Sequence, residues 1–570
     1  MPRKILVAVA WPYVNGEPHL GHIAGMVVPA DIFARYHRIV GNEVAMVSGS
    51  DMHGTPTALK AAEEGVSPEV VATRYHEIWS KALADMSFAY DLYTHTHTDR
   101  HIEVSQELFL GLQENGHLTE ATQSMPFSET EQRFLSDRFV EGTCPHCGHD
   151  SARGDQCDNC GRTLDPIDLI DIRSKQDGST PVFKDTTHLM LKLGDFQEQL
   201  EEWVSGKDEW RANVRNQTLG MLHEGLHDRA MTRDIDWGVP VPVEGYESKR
   251  IYVWFEAVIG YLSATRAWAE QQGKPDTWKK WWVEPDGESY YFQGKDNVAF
   301  HTIILPSILL GNGGLNLPTE VVANEYLTFG GADFSKSTGH AVWVPDFLTR
   351  YEADPLRYYL ASIMPETSDS EFTWEGFHAA NNNELVATFG NFVHRVLTIT
   401  TRNFENAVPT PGELGEDDQE ALDACDTALK EVSNAIDARR FRDGLRTAMR
   451  LARHGNQYID SKEPWKVVKT DKEAAGTALW VGLNIIATLR TVFYPFMPTT
   501  ADKIHGMLFT ESNTLTDGWD RRVIVAGAPI EKPTPLFRKL DDSIIEEENA
   551  RLTGEKPQQV QQPASKYIHG

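Results

Sequence analysis

No apolar run in this sequence reaches the roughly 18 residues that a membrane-spanning helix needs. The nearest stretch, 480–496, is interrupted by Asn484, Thr488 and Arg490 and reads as a core helix. Ala8-Val9-Ala10 looks like a signal-peptidase site, but the apolar residues before it are too few for a secretion signal. A cytoplasmic protein with no membrane partner is expected. Cysteine is scarce: five in 570 residues do not make a disulfide scaffold. Positive charge is short as well, with 54 Lys plus Arg against 83 Asp plus Glu, a formal net charge of −29. That excludes a general basic coat for nucleic acid, though not a local basic face. No internal repeat is visible. What is plentiful is core material: 41% apolar residues, with 15 Trp and 24 Phe, describe an ordered globular chain. At roughly 100–200 residues per domain, the length calls for three to five units.

Residues 4–10, Lys-Ile-Leu-Val-Ala-Val-Ala, suit a parallel strand buried on both faces. A Pro/Gly-rich loop follows over 12–21, then a helical pattern over 23–38 ended by Gly41, then a second apolar strand over 43–47. This order opens an α/β fold, a doubly wound parallel sheet of the Rossmann-like kind. From about 119 to 235 the pattern breaks into turns and a cysteine cluster. Strands then resume at 250–254 and 290–293, with a helix over 298–310 and a strand near 321–326. The α/β domain is therefore split by an insertion. Beyond about 380, periodic segments at 381–404, 418–437, 439–460 and 474–494 predict an α-helical bundle. The last 30 residues, with Glu-Glu-Glu and Gln-Gln-Val-Gln-Gln-Pro, read as a mobile polar tail.

Three motifs carry chemistry. His19-Leu20-Gly21-His22 lies between the first strand and its helix. A helix N-terminus suits phosphates, Gly21 lets a nucleotide approach the backbone, and two imidazoles can follow charge during displacement. The bland alternative is a capped helix start. Phe334-Ser335-Lys336-Ser337 can clamp the same phosphates, Lys336 countering β/γ charge; its alternative is a common surface sequence. Cys144-x2-Cys147-x9-Cys157-x2-Cys160 supplies four thiolates in two turns. Four Cys ligands leave no open position, so one structural zinc is expected, with rubredoxin-like iron as the alternative.

The first two motifs together make the signature of class I aminoacyl-tRNA synthetases, and the chain resembles the methionyl-tRNA synthetase family over roughly residues 4–540. The resemblance is carried by Trp-Pro-Tyr-Val-Asn-Gly-Glu-Pro-His-Leu-Gly-His at 11–22 and Ser-Gly-Ser-Asp-Met-His-Gly-Thr-Pro at 48–56. It continues in Tyr-Val-Trp-Phe-Glu-Ala-Val-Ile-Gly-Tyr at 252–261, Gly-Lys-Asp-Asn-Val-Ala-Phe-His at 294–301 and Lys-Glu-Pro-Trp at 462–465. It implies ATP-dependent ligation of L-methionine to tRNA(Met) through an adenylate, with Mg2+ entering on ATP. His19, His22 and Lys336 are then catalytic, and His19, Gly21, His22, Asp296 and Lys336 bind ATP. Asp51 takes the α-amino group of methionine; Ala10, Tyr13, Trp254, Ala257, Tyr261 and His301 line the rest of its site. Asn391, Arg395 and Trp465 read the anticodon. Arg233 matches a position near the active site.

The resemblance also sets domain expectations. The catalytic halves are 1–118 and 236–325, around a connective insertion at 119–235 holding the metal knuckle. A stem-contact module with the Ser-Lys-Ser loop spans 326–380, the anticodon domain 381–540 and the tail 541–570. Too few residues follow Leu540 for a dimerising barrel, so a monomer is expected. The insertion is too short for an editing domain. Asp333 and Thr338 stand where relatives commonly carry cations, and Val258 and Asn297 also depart from the family pattern. Asp333 keeps a second reading open, a non-catalytic tRNA-binding paralogue. Between 437 and 453, six Arg face two Asp, a local +4 that either touches tRNA phosphates or pairs with acidic neighbours.

Overall fold

The computed structural model describes residues 2–135, 139–154, 157, 159, 164, 166–334, 340–509 and 514–553. The chain forms two compact units. The first comprises Met1–Tyr326, Trp343–Thr349 and Pro365–Asp369; the second comprises Leu327–Val342, Arg350–Met364 and Ser370–Gly570.

The first unit is built on five parallel strands: β1 (Lys4–Val9), β2 (Glu43–Ser50), β3 (Leu92–His95), β4 (Gly287–Gly294) and β5 (Glu320–Asn324). Their order across the sheet is β5-β4-β1-β2-β3, and every neighbouring pair is parallel. In β1, Ile5 to Val9 are all fully buried, which is why the run has no alternation. The chain winds outward from β1 through β2 to β3 on one side and through β4 to β5 on the other. The winding reverses between β1 and β4, and in open parallel sheets ligands sit beyond the carboxyl ends at that point. Helices α1 (Asp99–Glu114) and α2 (Val253–Gln271) pack on each other. The insertion is a long antiparallel pair, Leu118–Ser128 with Val182–Leu191. Beyond it lies a three-stranded sheet, Val140–Thr143 between Ala152–Arg153 and Ile170–Ser174.

The second unit opens with strands Leu327–Phe329, Ala332–Asp333 and Ser370–Phe372 and continues as helices. These include α3 (Asn391–Asn403), α4 (Glu416–Asp437), α5 (Phe441–Lys462), α6 (Lys472–Phe493) and α7 (Pro498–Leu508). By length and composition α6 could cross a membrane, but 94% of its most apolar window is buried within the protein. Its polar interruptions are satisfied internally. Asn484 donates to the Trp480 carbonyl and accepts from the Ile524 N–H, and the fully buried Arg490 pairs with Asp517.

Two expectations need correction. The segment 250–254 is not a strand: only Arg250–Ile251 pairs, and α2 begins at Val253. Ile251 and Val253 are buried while Arg250, Tyr252 and Trp254 are partly exposed, so the short stretch shows the period-two alternation of a strand although a helix begins within it. The tail is not unstructured from 541 onward, because Ser543–Thr553 is helical. Glu548 in that helix is buried and takes Arg350 Nε at 2.7 Å and the Tyr351 hydroxyl at 2.8 Å. Residues 554–570 lie outside the described residues.

Candidate functional site

The loop after β1 and the turn after β4 both leave the sheet at the reversal point. The Ala10 N–H still bonds the Phe292 carbonyl at 2.9 Å, so β1 and β4 stay joined to the rim of the cleft. A parallel bridge then couples Tyr13 to Asp51: Asp51 N–H donates to the Pro12 carbonyl at 2.9 Å, and Val14 N–H to the Asp51 carbonyl at 3.3 Å. Gly54 follows because a Cβ there would fall 2.2 Å from the Tyr13 ring.

Asp51 is buried, and burial together with the neighbouring Glu256 pushes its carboxyl well above the usual range. The His53 N–H, 3.3 Å from Oδ1, works the other way. A buried carboxylate so placed gains from an incoming cation such as an ammonium. Trp254, Ala257 and Tyr261 share one face of α2, three and four residues apart. The Trp254 indole N–H donates to the Tyr13 hydroxyl, so the loop and α2 close the same wall. His301 lies in the wide helical turn Phe300–Ile304. Its Nδ1 donates to the Asn297 carbonyl at 2.9 Å, so the neutral ring keeps Nε2 as acceptor for the Tyr261 hydroxyl at 2.7 Å. Burial holds the imidazole down at about 4, neutral at physiological pH. Asn297 contributes through its main chain, so its side chain does not bear on that bond, and Val258 points into the core.

At the mouth, His19 precedes the helical turn Leu20–His22. Its N–H donates to His22 Nδ1 at 3.2 Å, and the ring centroids stand 3.6 Å apart. With Nδ1 accepting, His22 carries its proton on Nε2 and can donate it to an anion. Gly21 is half-buried between them. Asp296 is exposed in the turn after β4, and a Cβ on Gly294 would lie 2.7 Å from its Oδ1. Lys336 lies outside the described residues, as does Thr338; Asp333 ends the strand Ala332–Asp333. Arg233 donates to the Ala230 and Thr232 carbonyls and stacks on Tyr252 at 3.8 Å.

In the insertion, the sulfurs of Cys144, Cys147 and Cys157 lie within 4.8 Å of one another, Cys147 and Cys157 at 3.6 Å. Four thiolates held tetrahedrally at ~2.3 Å from zinc imply S···S distances of ~3.8 Å, so the geometry fits. Cys160 lies outside the described residues. Hydrogen bonds from the Asn159 side chain and the His149 main chain lower the Cys147 thiol to about 6, favouring the thiolate a metal needs.

In the second unit, the Arg395 guanidinium lies 4.9 Å over the Trp465 ring and pairs with Asp460 at 2.6 Å. Trp465 is placed by a sharp joint: Glu463 takes φ 40, ψ 49 between α5 and the turn Pro464–Val467. Asn391, exposed at the start of α3, stands one helical turn from Arg395. The arginine stripe divides. Arg450 pairs with Glu431, and Arg440 and Arg446 both approach Asp443, at 3.5 and 3.3 Å. Arg442, Arg446 and Arg453 line a cavity of about 210 Å3 with Glu384 and Tyr358. Acidic pairing thus accounts for much of the stripe.

Sequence reasoning missed a buried group behind Asp51: Glu256, His53 and His101. Its signal was available, since Glu256 is the one charge in the apolar run 251–262.

Two family descriptions match the chain: tRNA synthetases class I (M) over residues 5–397, and the anticodon binding domain of methionyl tRNA ligase over 408–557. A methionine--tRNA ligase of Dehalococcoides mccartyi is 50% identical over 552 residues, covering 97% of this chain and 100% of the relative. One from Chloroflexus aggregans is 47% identical, covering 97% and 99%. Among solved structures, Mycobacterium tuberculosis methionyl-tRNA synthetase in complex with methionyl-adenylate superposes with a TM-score of 0.78 at 23% identity, over 94% of this chain and 100% of that one. At that identity the likeness shows a shared fold.

Proposed function

The chain belongs to the methionyl branch of the class I tRNA synthetases, and on that premise we propose how its residues divide an ATP-dependent ligation of methionine to tRNA. A methionine carboxylate oxygen attacks the α-phosphorus of ATP; the bond to pyrophosphate breaks and methionyl-adenylate forms. A ribose hydroxyl of the tRNA's terminal adenosine then attacks the carbonyl carbon, and AMP leaves. No protein nucleophile is needed, so catalysis is positioning and charge stabilisation. Asp51 receives the ammonium. Ala10, Tyr13, Trp254, Ala257, Tyr261 and His301 surround the side chain, whose thioether gains from aromatic walls. His19 and His22 donate to phosphate oxygens beside Gly21, Lys336 adds charge late in the step, and Asp296 takes the ribose. Mg2+ arrives with ATP.

The insertion's four cysteines would hold zinc, which supplies folding energy there and no chemistry. In the second unit, Trp465 offers a stacking surface and Arg395 and Asn391 offer hydrogen bonds to unpaired anticodon bases. The stem-contact and anticodon roles fall to 326–380 and 381–540. A cytoplasmic monomer is the expected state; a dimer mass in light scattering at micromolar concentration would contradict it.

The observations that carry the reading are the buried, cation-seeking Asp51 and the buried Tyr261–His301 pair, on elements that leave the sheet at its reversal point. Methionine-dependent ATP–pyrophosphate exchange tests it. Exchange is expected with methionine; its absence in metal-replete protein would favour the non-catalytic paralogue.

A further inference from the structure

Behind the amine subsite lies a group of titratable side chains to which the reaction scheme gives no role. Glu256 is wholly buried, and both its oxygens face imidazoles: Oε1 meets His53 Nδ1 at 2.9 Å and Oε2 meets His101 Nε2 at 3.3 Å. His53 Nε2 meets His97 Nδ1 at 2.9 Å, and His97 is half-exposed. The main-chain N–H of His53 reaches Asp51. One continuous chain therefore joins the amine-binding carboxylate, a second buried carboxylate and the surface.

Charge decides what this chain does. Among the described residues, no Lys or Arg forms an ion pair with Asp51 or Glu256; the only ion-pair partners are His53 and His101, both on Glu256. The other charged neighbours act on the imidazoles. Arg250 disfavours a charge on His53, His95 does so on His101, and Glu69 and Asp99 favour one on His97. Two buried carboxylates facing only imidazoles that burial keeps neutral are too costly to ionise together. The hydrogen bonds point the same way. Ser263 gives its one hydrogen to the Gly260 carbonyl at 3.0 Å, so it accepts from His101 Nδ1 at 2.9 Å. His101 Nε2 is then an acceptor, and a protonated Glu256 or the Ser105 hydroxyl, each at 3.3 Å, can donate to it. Burial raises Glu256 to about 7 and, with Glu256 as neighbour, lifts Asp51 too.

We propose that the Asp51–Glu256 pair and its imidazoles hold one mobile proton while the subsite is empty, and that the arriving ammonium of methionine expels it through His53 and His97. The inference rests on the assignment of Asp51 to the amino group. The buried charge balances: two carboxylates with one proton carry −1, and two carboxylates with one ammonium carry −1. With its proton on Oε1, Glu256 passes it to His53 Nδ1, the Nε2 proton of His53 moves to His97 Nδ1, and His97 releases a proton from Nε2 to water. Only O–H and N–H bonds change. Glu256, His53 and His97 are positioning and relay residues; they do not touch the reacting atoms.

Calorimetric titration of the intact protein with methionine at pH 6, in buffers of different ionisation enthalpy, counts the proton. Release approaching one per site is expected, and binding with no release overturns the inference alone. No binding at all overturns the functional reading and this inference with it. Glu256→Gln keeps the shape and removes the second carboxylate, so release should fall below half while methionine still binds. The affinity of the unaltered protein should weaken below pH 7, towards tenfold per pH unit, and the onset should move to lower pH in the Gln variant. Unchanged release and an unchanged onset in a folded Glu256→Gln protein would refute the assignment; if that variant does not fold, the count on the unaltered protein decides.

Discussion

Replacing Tyr261 by Phe removes one hydroxyl and little else. The ring is buried and packs edge-on to Tyr291 at 5.2 Å and Trp11 at 6.3 Å, contacts that Phe retains. The lost hydroxyl is the donor to His301 Nε2 at 2.7 Å. His301 cannot turn that nitrogen into a donor, because its Nδ1–H is committed to the Asn297 carbonyl and burial keeps the ring neutral. The variant thus leaves a buried acceptor unpaired, which costs ~1–3 kcal/mol. Part of that appears as lost stability. The rest appears wherever the imidazole must be held still, which on the proposed assignment is against the amino-acid side chain. The KM for methionine in ATP–pyrophosphate exchange should rise by up to ~5- to 150-fold, the same free energy expressed as a ratio. The KM for ATP should stay near its starting value, because His19, His22 and Asp296 are untouched. An equal rise in both constants would refute the reasoning. So would an unchanged methionine constant together with an unchanged melting temperature.

Three further outcomes follow from the same geometry. His301 sits at about 4 when folded against an ordinary ~6.5 unfolded; its folded value is depressed, so the unfolded chain takes the proton first and stability is lost as pH falls from ~6.5 towards 4. Linkage gives ~2 kcal/mol between pH 7 and 5, so His301→Asn should flatten the urea-midpoint decline over that window by this amount; equal slopes would sink the assignment. Elemental analysis should find one zinc per chain, lost in Cys157→Ser; iron absorption in the visible would favour the rubredoxin-like alternative. Reversing charge at Arg446 and Arg453, which line the cavity, should lower the salt slope of tRNA binding by ~1 per phosphate contact. Reversing Arg450, held more closely by Glu431 than Arg446 is by Asp443 at 3.3 Å or Arg453 by Glu384 at 3.8 Å, should not; matching effects would show that the cavity has no special part.

Much of the first unit was legible because its strands are uniformly apolar and its chemistry sits at their ends. The run at 4–10 and the motifs at 19–22 and 48–56 each announce themselves within a dozen residues. What stayed hidden depends on partners far away in sequence. Glu256 meets His53 across 203 residues, and no local pattern reports that separation. The arginine stripe is periodic in the sequence, but whether each guanidinium is already paired depends on Glu431, Glu384 and Asp443. The helix Ser543–Thr553 was obscured by its own charge, since Glu546, Glu547 and Glu548 look alike and only Glu548 is buried. Lys336 fell outside what the structure describes, so its part rests on the loop sequence.

The bridge between Tyr13 and Asp51 has a thermodynamic corollary. The loop that carries His19 is tied by two backbone hydrogen bonds to Asp51, the residue proposed to receive the amine. On the proposed assignment of the loop to ATP, a ligand that draws Asp51 toward itself tensions that loop, and a nucleotide that settles the loop pre-sets Asp51. Reciprocity requires the two effects to be equal: whatever factor bound nucleotide multiplies into the affinity for methionine, methionine multiplies into the affinity for nucleotide. Two dissociation constants measured with and without a non-hydrolysable ATP analogue would give that factor. A value of one would mean that the bridge transmits nothing.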